Sequence, residues 1–262
     1  MSLYKIDTYG NAFSDNYDKT YDDFIPSVDQ INYIKELAKN DIALEVGIGT
    51  GRIAVPLSKS GTKVAGYDPS TLMLDILKTK DESKNIKFFH GKIEDTKKHI
   101  QENIGVIYAP FNVFFLMEKN KEQTEFFIHA SNILASRGYL VIECFVPNYN
   151  TRLVDGENPA FFPLGKHLEI RSIDSDKVII LASENSPEDK VWHLNEIILQ
   201  DSKLIKIIPA TLSYMTHDEI DMLAEQAGFE VVSRWESWGK ENFSLASKKH
   251  ITTYQLKKEV LK

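Results

Sequence analysis

Cysteine is almost missing from this chain: Cys144 is the only one among 262 residues. No intrachain disulfide can form, and a zinc cage built on thiolates is excluded. Arginine is scarce as well. Of 31 basic residues only Arg52, Arg137, Arg152, Arg171 and Arg234 are arginines, set against 38 acidic residues and a net charge of −7. Phosphate backbones are gripped largely by guanidinium forks, so this balance argues against nucleic acid as the main partner. Long apolar runs are absent too. The longest mostly apolar stretch, from Ile104 to Met117, is broken by Pro110 and Asn112 and is too short and too polar for a bilayer. No basic-then-apolar leader opens the sequence, so a cytoplasmic protein without membrane partners is expected. There is no internal repeat and no low-complexity tract. The histidines (His90, His99, His129, His167, His193, His217, His250) show no HxxxH or HxH spacing, and no metal site is expected.

What is present is an ordinary globular mixture, 42% apolar and 26% charged, enough for a substantial core. Residues 4–30 are rich in Tyr and Asp, and Ile31, Ile34, Leu37 and Ala38 then follow a helical period. Short apolar runs then alternate with amphipathic stretches. Strands are expected at 42–46, 63–67, 86–89, 105–109 and 139–145. One intervening helix presents Leu72, Met73, Ile76 and Leu77, and another, at 121–135, presents Phe126, Phe127, Ala130, Ile133 and Leu134. This alternation argues for a doubly wound α/β core with a parallel sheet. After Pro147 it stops. From His167 to Ser213 four strands with tight turns read as an inserted antiparallel meander. Thr216 and Glu219 then form a capping box, Gly228 suits the C′ position, and 229–235 and 249–256 read as the last two strands. One domain is expected over 1–262: a helical lid at 1–40, the core at 41–146, a meander cap at 147–213, and a final helix and two strands at 214–262. Pro56 sits awkwardly in the helix expected after Gly51, because a proline beyond the first turn removes a backbone bond.

The chemistry concentrates in residues 42–52, a strand running into Glu45-Val46-Gly47-Ile48-Gly49-Thr50-Gly51-Arg52. Glycines at 47, 49 and 51 let the backbone approach a ligand at the carboxyl end of the first strand. A dinucleotide fingerprint needs a third glycine where Arg52 stands. Glu45, inside the strand, suits an amino-acid ammonium better than a pyrophosphate. At the end of the second strand lies Asp68, placed to hydrogen-bond a ribose diol or to cap the helix that follows.

The Glu45–Gly51 segment resembles the first motif of the class I S-adenosylmethionine (SAM)-dependent methyltransferases. The resemblance covers roughly residues 10–146 and 214–258. It implies a Rossmann-like seven-stranded sheet carrying the inserted β meander, SAM as cofactor, S-adenosylhomocysteine as product, and an acid that holds both ribose hydroxyls, here Asp68. The implied cofactor set also includes Arg52, Pro69 and Met73. The loop Phe89-His90-Gly91-Lys92-Ile93-Glu94 occupies the place that frames adenine in similar enzymes. Lys92 stands there in place of the usual Asp, with Ile93 left to cover the ring and Glu94 to take its amino group. Tyr108-Ala109-Pro110-Phe111-Asn112 resembles the segment that passes below the methyl donor with backbone carbonyls, which places Ala109 and Phe111 at the cofactor. Phe13-x-x-x-Tyr17-Asp18-x-x-Tyr21 resembles the opening segment in which a Tyr closes over the methionine end, with Tyr17 the first candidate and Tyr21 the second; the other reading is a surface helix with two aromatic anchors. Asn112 and His193 are the candidates for contact with the acceptor. Trp192, Trp235 and Trp238 read as packing, while Phe111, Phe114, Phe115, Phe161 and Phe162 could line an apolar acceptor pocket.

Methyl transfer from a sulfonium needs positioning and dryness more than covalent help, so the lack of a catalytic triad fits. The meander and the Ala227-Gly228-Phe229 turn resemble natural-product and amino-sugar N-methyltransferases, which implies a small-molecule acceptor methylated on nitrogen, with oxygen second. A meander of this kind also offers a homodimer seam. The alternatives are a nucleotide-cofactor oxidoreductase and a non-catalytic SAM-binding module that works through its meander.

Overall fold

The structure, a computed structural model, describes residues 10–12, 25–147, 163–173, 176–201 and 203–257. Residues 10–12 are helical; helix α1 (Val28–Ala38) comes next, its first turn capped by Ser27 Oγ accepting from the Gln30 amide at 3.1 Å. Then follow β1 (Ile42–Val46), α2 (Ala54–Lys59), β2 (Val64–Asp68), α3 (Thr71–Thr79), β3 (Ile86–His90), β4 (Ile104–Ala109), α4 (Glu122–Ile133) and β5 (Leu134–Phe145). The meander is β6 (Gly165–Ile173), β7 (Lys177–Ser186), β8 (Val191–Gln200) and β9 (Lys203–Ser213). Helix α5 (His217–Gln226), β10 (Phe229–Trp235) and β11 (Lys249–Leu256) complete the described chain. No described helix is long and apolar enough to cross a membrane.

The larger sheet has seven strands in the order β10-β11-β5-β4-β1-β2-β3. Strands β3, β2, β1, β4 and β5 are parallel, and β11 and β10 join antiparallel beyond β5. All residues of β1, β2 and β4 are buried, as a sheet covered on both faces requires. The apolar side chains divide into two clusters. Phe114, Phe126, Phe127, Phe229 and Tyr254 dominate one, and Ile34, Leu57, Leu77, Tyr108 and Ile251 belong to the other. Strand order reverses between β1 and β4, and the crevice outside their carboxyl ends is the usual ligand position in such sheets.

Several local expectations change. Helix α2 begins only at Ala54, so Pro56 falls within the first turn, where no intrahelical bond is demanded of its nitrogen. Leu72 is exposed and Leu74 takes its place on the buried face of α3, beside Met73 and Leu77. Leu134 leaves α4 and starts β5, which passes through Arg137 at a positive φ before straightening. The capping box of α5 is formed: Thr216 Oγ1 accepts from the Glu219 amide, and Glu219 accepts from the Thr216 amide. Gly228, just past the helix, takes φ +90°.

Candidate active site

The turn after β1 is held in a conformation that only glycine adopts without strain. Gly47, Gly49 and Gly51 take φ of +66°, +52° and +83°. A Cβ on Gly51 would stand 2.5 Å from Leu77 Cδ1, so this glycine also lets α3 pack against the turn. Gly51→Ala is therefore expected to destabilise the protein by about 1–2 kcal/mol, read as a lower urea midpoint. A wild-type midpoint in that variant would show that α3 does not depend on the turn. Gly49 differs, since the nearest atom to a built Cβ is 3.9 Å away. Its face is open at the sheet's ligand-binding end.

Asp68 ties this turn to the next element. It is 7% exposed; Oδ2 accepts from the Gly49 amide and Oδ1 from the Ser70 amide, both at 2.8 Å. The helix cap is Ser70, whose Oγ accepts from the Met73 amide at 3.2 Å, so Asp68 is not the capping residue of α3. Each carboxylate oxygen keeps a lone pair beyond the amide it receives, which is what a diol needs. Burial pushes the Asp68 carboxyl up to about 6, against the two amide bonds that favour its ionised form.

Glu45 is 3% exposed on β1 and accepts from Tyr108 Oη of β4 at 2.8 Å. Burial pushes its carboxyl up to about 8, although Tyr108, the Arg52 guanidinium and the Ala54 amide all favour the charged form. The Arg52 guanidinium lies 4.9 Å from the centre of the Phe111 ring. Arg52 thus links Glu45 to the segment that follows β4.

That segment is strained. After Ala109 and Pro110, both Phe111 and Asn112 take left-handed φ values, +50° and +62°. Their backbone is held from β5: Glu143 Oε2 accepts from the Phe111 amide at 3.0 Å, and the Glu143 carbonyl accepts from the Asn112 amide at 3.0 Å. Lys249 of β11 closes the arrangement by pairing with Glu143 Oε1 at 3.0 Å. Asn112 Oδ1 accepts from the Phe145 amide at 2.7 Å, so this side chain braces the turn. Glu143 and Lys249 were not singled out from the sequence. The available signal was an acid inside the apolar run Leu140–Phe145, the same signature that marks Glu45.

On the adenine side, the Lys92 ammonium pairs with Glu122 of α4, and its amide is held by Asp95 Oδ2 at 3.2 Å. Its charge is thereby directed at a helix, which accounts for a lysine at this position. Ile93 is buried in the core and Glu94 is exposed. Pro69 gives its carbonyl to His90 Nε2 at 3.1 Å, and Met73 is buried. Tyr17, Tyr21, Phe161 and Phe162 lie outside the described residues.

The meander forms its own four-stranded sheet, ordered β6-β7-β8-β9. One face is turned onto the larger sheet. Trp192 packs edge-on against Phe145, ring centres 5.9 Å apart, and Leu194 and Leu212 join the core cluster. Farther along, Ile198 and Ile208 are buried together with Met73. The meander therefore roofs the strand ends. His193 corrects the sequence reading: it alternates with Trp192 and falls on the opposite face, bonded through Nδ1 to Thr211 Oγ1 at 3.0 Å. It is turned away from the site.

A seven-stranded sheet of this order, with a glycine turn after β1, a buried acid after β2 and a roof over the strand ends, defines the SAM-dependent methyltransferase class. In agreement, residues 43–138 match the family model of a methyltransferase domain, and the chain carries such a domain. Among solved structures, the chain is similar to the CcbJ methyltransferase from Streptomyces caelestis (26% identity, 97% of this chain and 99% of that one, TM-score 0.84). It also resembles SAM-bound CalS10 from Micromonospora echinaspora, an amino pentose methyltransferase of calicheamicin biosynthesis (17% identity, 92% and 96%, TM-score 0.64). A third is KedS8, a sugar N-methyltransferase from Streptoalloteichus sp ATCC 53650 (12%, 90% and 91%, TM-score 0.63). The last two likenesses show the fold. No curated protein matches the sequence. SAM is the cofactor of this class, and the open Gly49 face beside a carboxylate with spare lone pairs fits its methionine and ribose portions.

Proposed function

We propose that the chain transfers the methyl group of SAM to a nitrogen of a small-molecule acceptor, with oxygen the second choice, as a single-domain cytoplasmic enzyme. The observation that carries the small-molecule reading is the roof. Packed at one end on Phe145 and at the other beside Met73, it covers the strand ends from β5 to α3 and suits an enclosed acceptor better than a polymer. The N-methyl preference is supported by two similar structures, one named as an amino pentose methyltransferase and one as a sugar N-methyltransferase.

In this reading Asp68 holds the ribose, the Gly47–Gly51 turn admits the methionine portion, and Glu45 faces its ammonium with Arg52 as counter-charge. Pro69, Met73, Ile93 and Glu94 surround the adenine. The Ala109 and Phe111 backbone supports the methyl donor from below, and the sequence resemblance assigns Tyr17 first, and Tyr21 second, to its methionine end. The cofactor supplies the activated methyl group, and the residues of this chain contribute orientation and the exclusion of water. The meander's outer face offers a seam for a homodimer, since Leu168, Ile170, Ile205 and Ile207 are exposed there, Leu168 to 72%.

Calorimetric titration with S-adenosylhomocysteine tests the cofactor. Binding near micromolar, about −8 kcal/mol, is expected, with no heat from NADH. Folded protein that binds NADH but not S-adenosylhomocysteine would return the oxidoreductase reading.

A further inference from the structure

The roof carries a polar feature that its own packing leaves unexplained, and what it does rests on the methyltransferase reading above. Facing the strand ends along β8 are Trp192, Leu194, Glu196 and Ile198, and opposite them on β7 stand Asn185, Ser183, Leu181 and Ile179. Asn185 is satisfied, accepting from Tyr214 Oη at 2.8 Å. Ser183 Oγ and Glu196 Oε1 are not: both atoms are buried and neither has a hydrogen-bond partner. They are diagonal neighbours on one face, within reach of a single ligand group and its substituents. The cations that act on Glu196 are Arg171 and Lys177, and Arg171 is itself paired with Glu169 at 3.4 Å. A buried carboxylate oxygen and a buried hydroxyl without partners weaken the fold, and native proteins retain such groups where function uses them.

The position of Glu196 follows from the two ends of its strand. Trp192 sits on Phe145, the last residue of β5, and Ile198 is buried with Met73, in the first turn of α3 after β2. Between them on the same face of β8 stands Glu196, on the side of the meander that is turned onto the larger sheet. Its unpartnered oxygen therefore lies on the inward face of the roof, between the contact at the end of β5 and the contact at the start of α3.

We propose that Glu196 and Ser183 recognise the methyl acceptor, and that they select an amine, whose N–H groups donate to Glu196 Oε1 and Ser183 Oγ. The carboxylate favours the two N–H donors of an amine over the single O–H of an alcohol of the same shape, and a neutral amine held this way keeps its lone pair for the incoming methyl group. A neutral acceptor without donors leaves both atoms unmet.

Cyclohexylamine and cyclohexanol share a ring and differ in the recognised group, so they serve as probes. Each is titrated into the full-length protein saturated with S-adenosylhomocysteine. The wild type is expected to bind the amine at least about tenfold more tightly than the alcohol. Glu196→Gln should reduce that preference to within about twofold while leaving the affinity for S-adenosylhomocysteine unchanged. Ser183→Ala should weaken the amine selectively. Glu196→Leu should raise the Tm, because it removes a buried carboxylate oxygen that has no hydrogen-bond partner. Equal binding of the two probes, binding of neither, an intact preference in Glu196→Gln, or a lowered Tm in Glu196→Leu overturns the proposal. Failure of S-adenosylhomocysteine to bind the folded wild type overturns the methyltransferase reading along with it.

Discussion

Asp68→Ala is expected to weaken S-adenosylhomocysteine binding by about a hundredfold or more. A carboxylate that accepts two ribose hydroxyls makes two charge-assisted hydrogen bonds, each worth about 1.5–3 kcal/mol. The same substitution also releases the Gly49 and Ser70 amides, which now share the two carboxylate oxygens at 2.8 Å. Some of the loss therefore comes from a loosened turn. Asp68→Asn separates the two contributions, because it keeps the volume and one acceptor oxygen while removing the charge. Calorimetry should find Asp68→Asn between wild type and Asp68→Ala, with a Tm close to wild type. If both variants bind S-adenosylhomocysteine within twofold of wild type, Asp68 is a brace for the turn and the ribose must be held elsewhere.

The second large effect is on stability as a function of pH. Burial raises the carboxyls of Glu45 to about 8 and Asp68 to about 6, and lowers the imidazole of His250 to about 3. A carboxyl raised on folding stabilises the native state below its unfolded pKa, and that contribution is lost as pH rises through the folded value. A histidine lowered on folding acts the other way, and its effect is complete once pH exceeds the unfolded value of 6.5. Above that point Glu45 dominates among these three groups. The unfolded chain has lost this proton while the native protein holds it, so stability falls by about 1.4 kcal/mol per pH unit toward pH 8. Urea unfolding of cofactor-free protein should therefore give about 2 kcal/mol less stability at pH 8 than at pH 6.5. Glu45→Gln should flatten this slope. Parallel pH profiles for the two proteins would mean that Glu45 is ionised in the folded state across the whole range.

The parts of the fold that burial dictates were legible as sequence. Strands such as Ile42–Val46, Phe229–Trp235 and Lys249–Leu256 have the bounds that their apolar runs mark, and the four meander strands are separated by the expected turns. The glycine turn and Asp68 could be paired because one strand–helix–strand unit fixes their relation. What escaped depends on contacts between distant segments. Whether Leu72 or Leu74 is buried is decided by the approach of α3 to Gly51, and a helical period alone admits both. The service of Asn112 as a brace depends on where β5 ends, far along the chain. His193 and Glu196 lie three residues apart in one strand and so face opposite ways. Alternation shows that they differ, but only the packing of Trp192 on Phe145 reveals which one looks inward.

Among the described residues the two sheets share no ladder: strands β6–β9 pair with one another, and the seven core strands do the same. The join between them is made by side chains such as Trp192 on Phe145 and Ile198 and Ile208 beside Met73. Side-chain joins tolerate substitution in a way that strand register does not, because a slip of one residue inverts a whole strand. Mutations that reshape the ceiling can accumulate without disturbing the backbone that carries the cofactor. If the roof recognises the acceptor as proposed, natural variation in strands β6–β9 retunes that choice as an exchangeable part, while the turn that holds the cofactor is left unchanged.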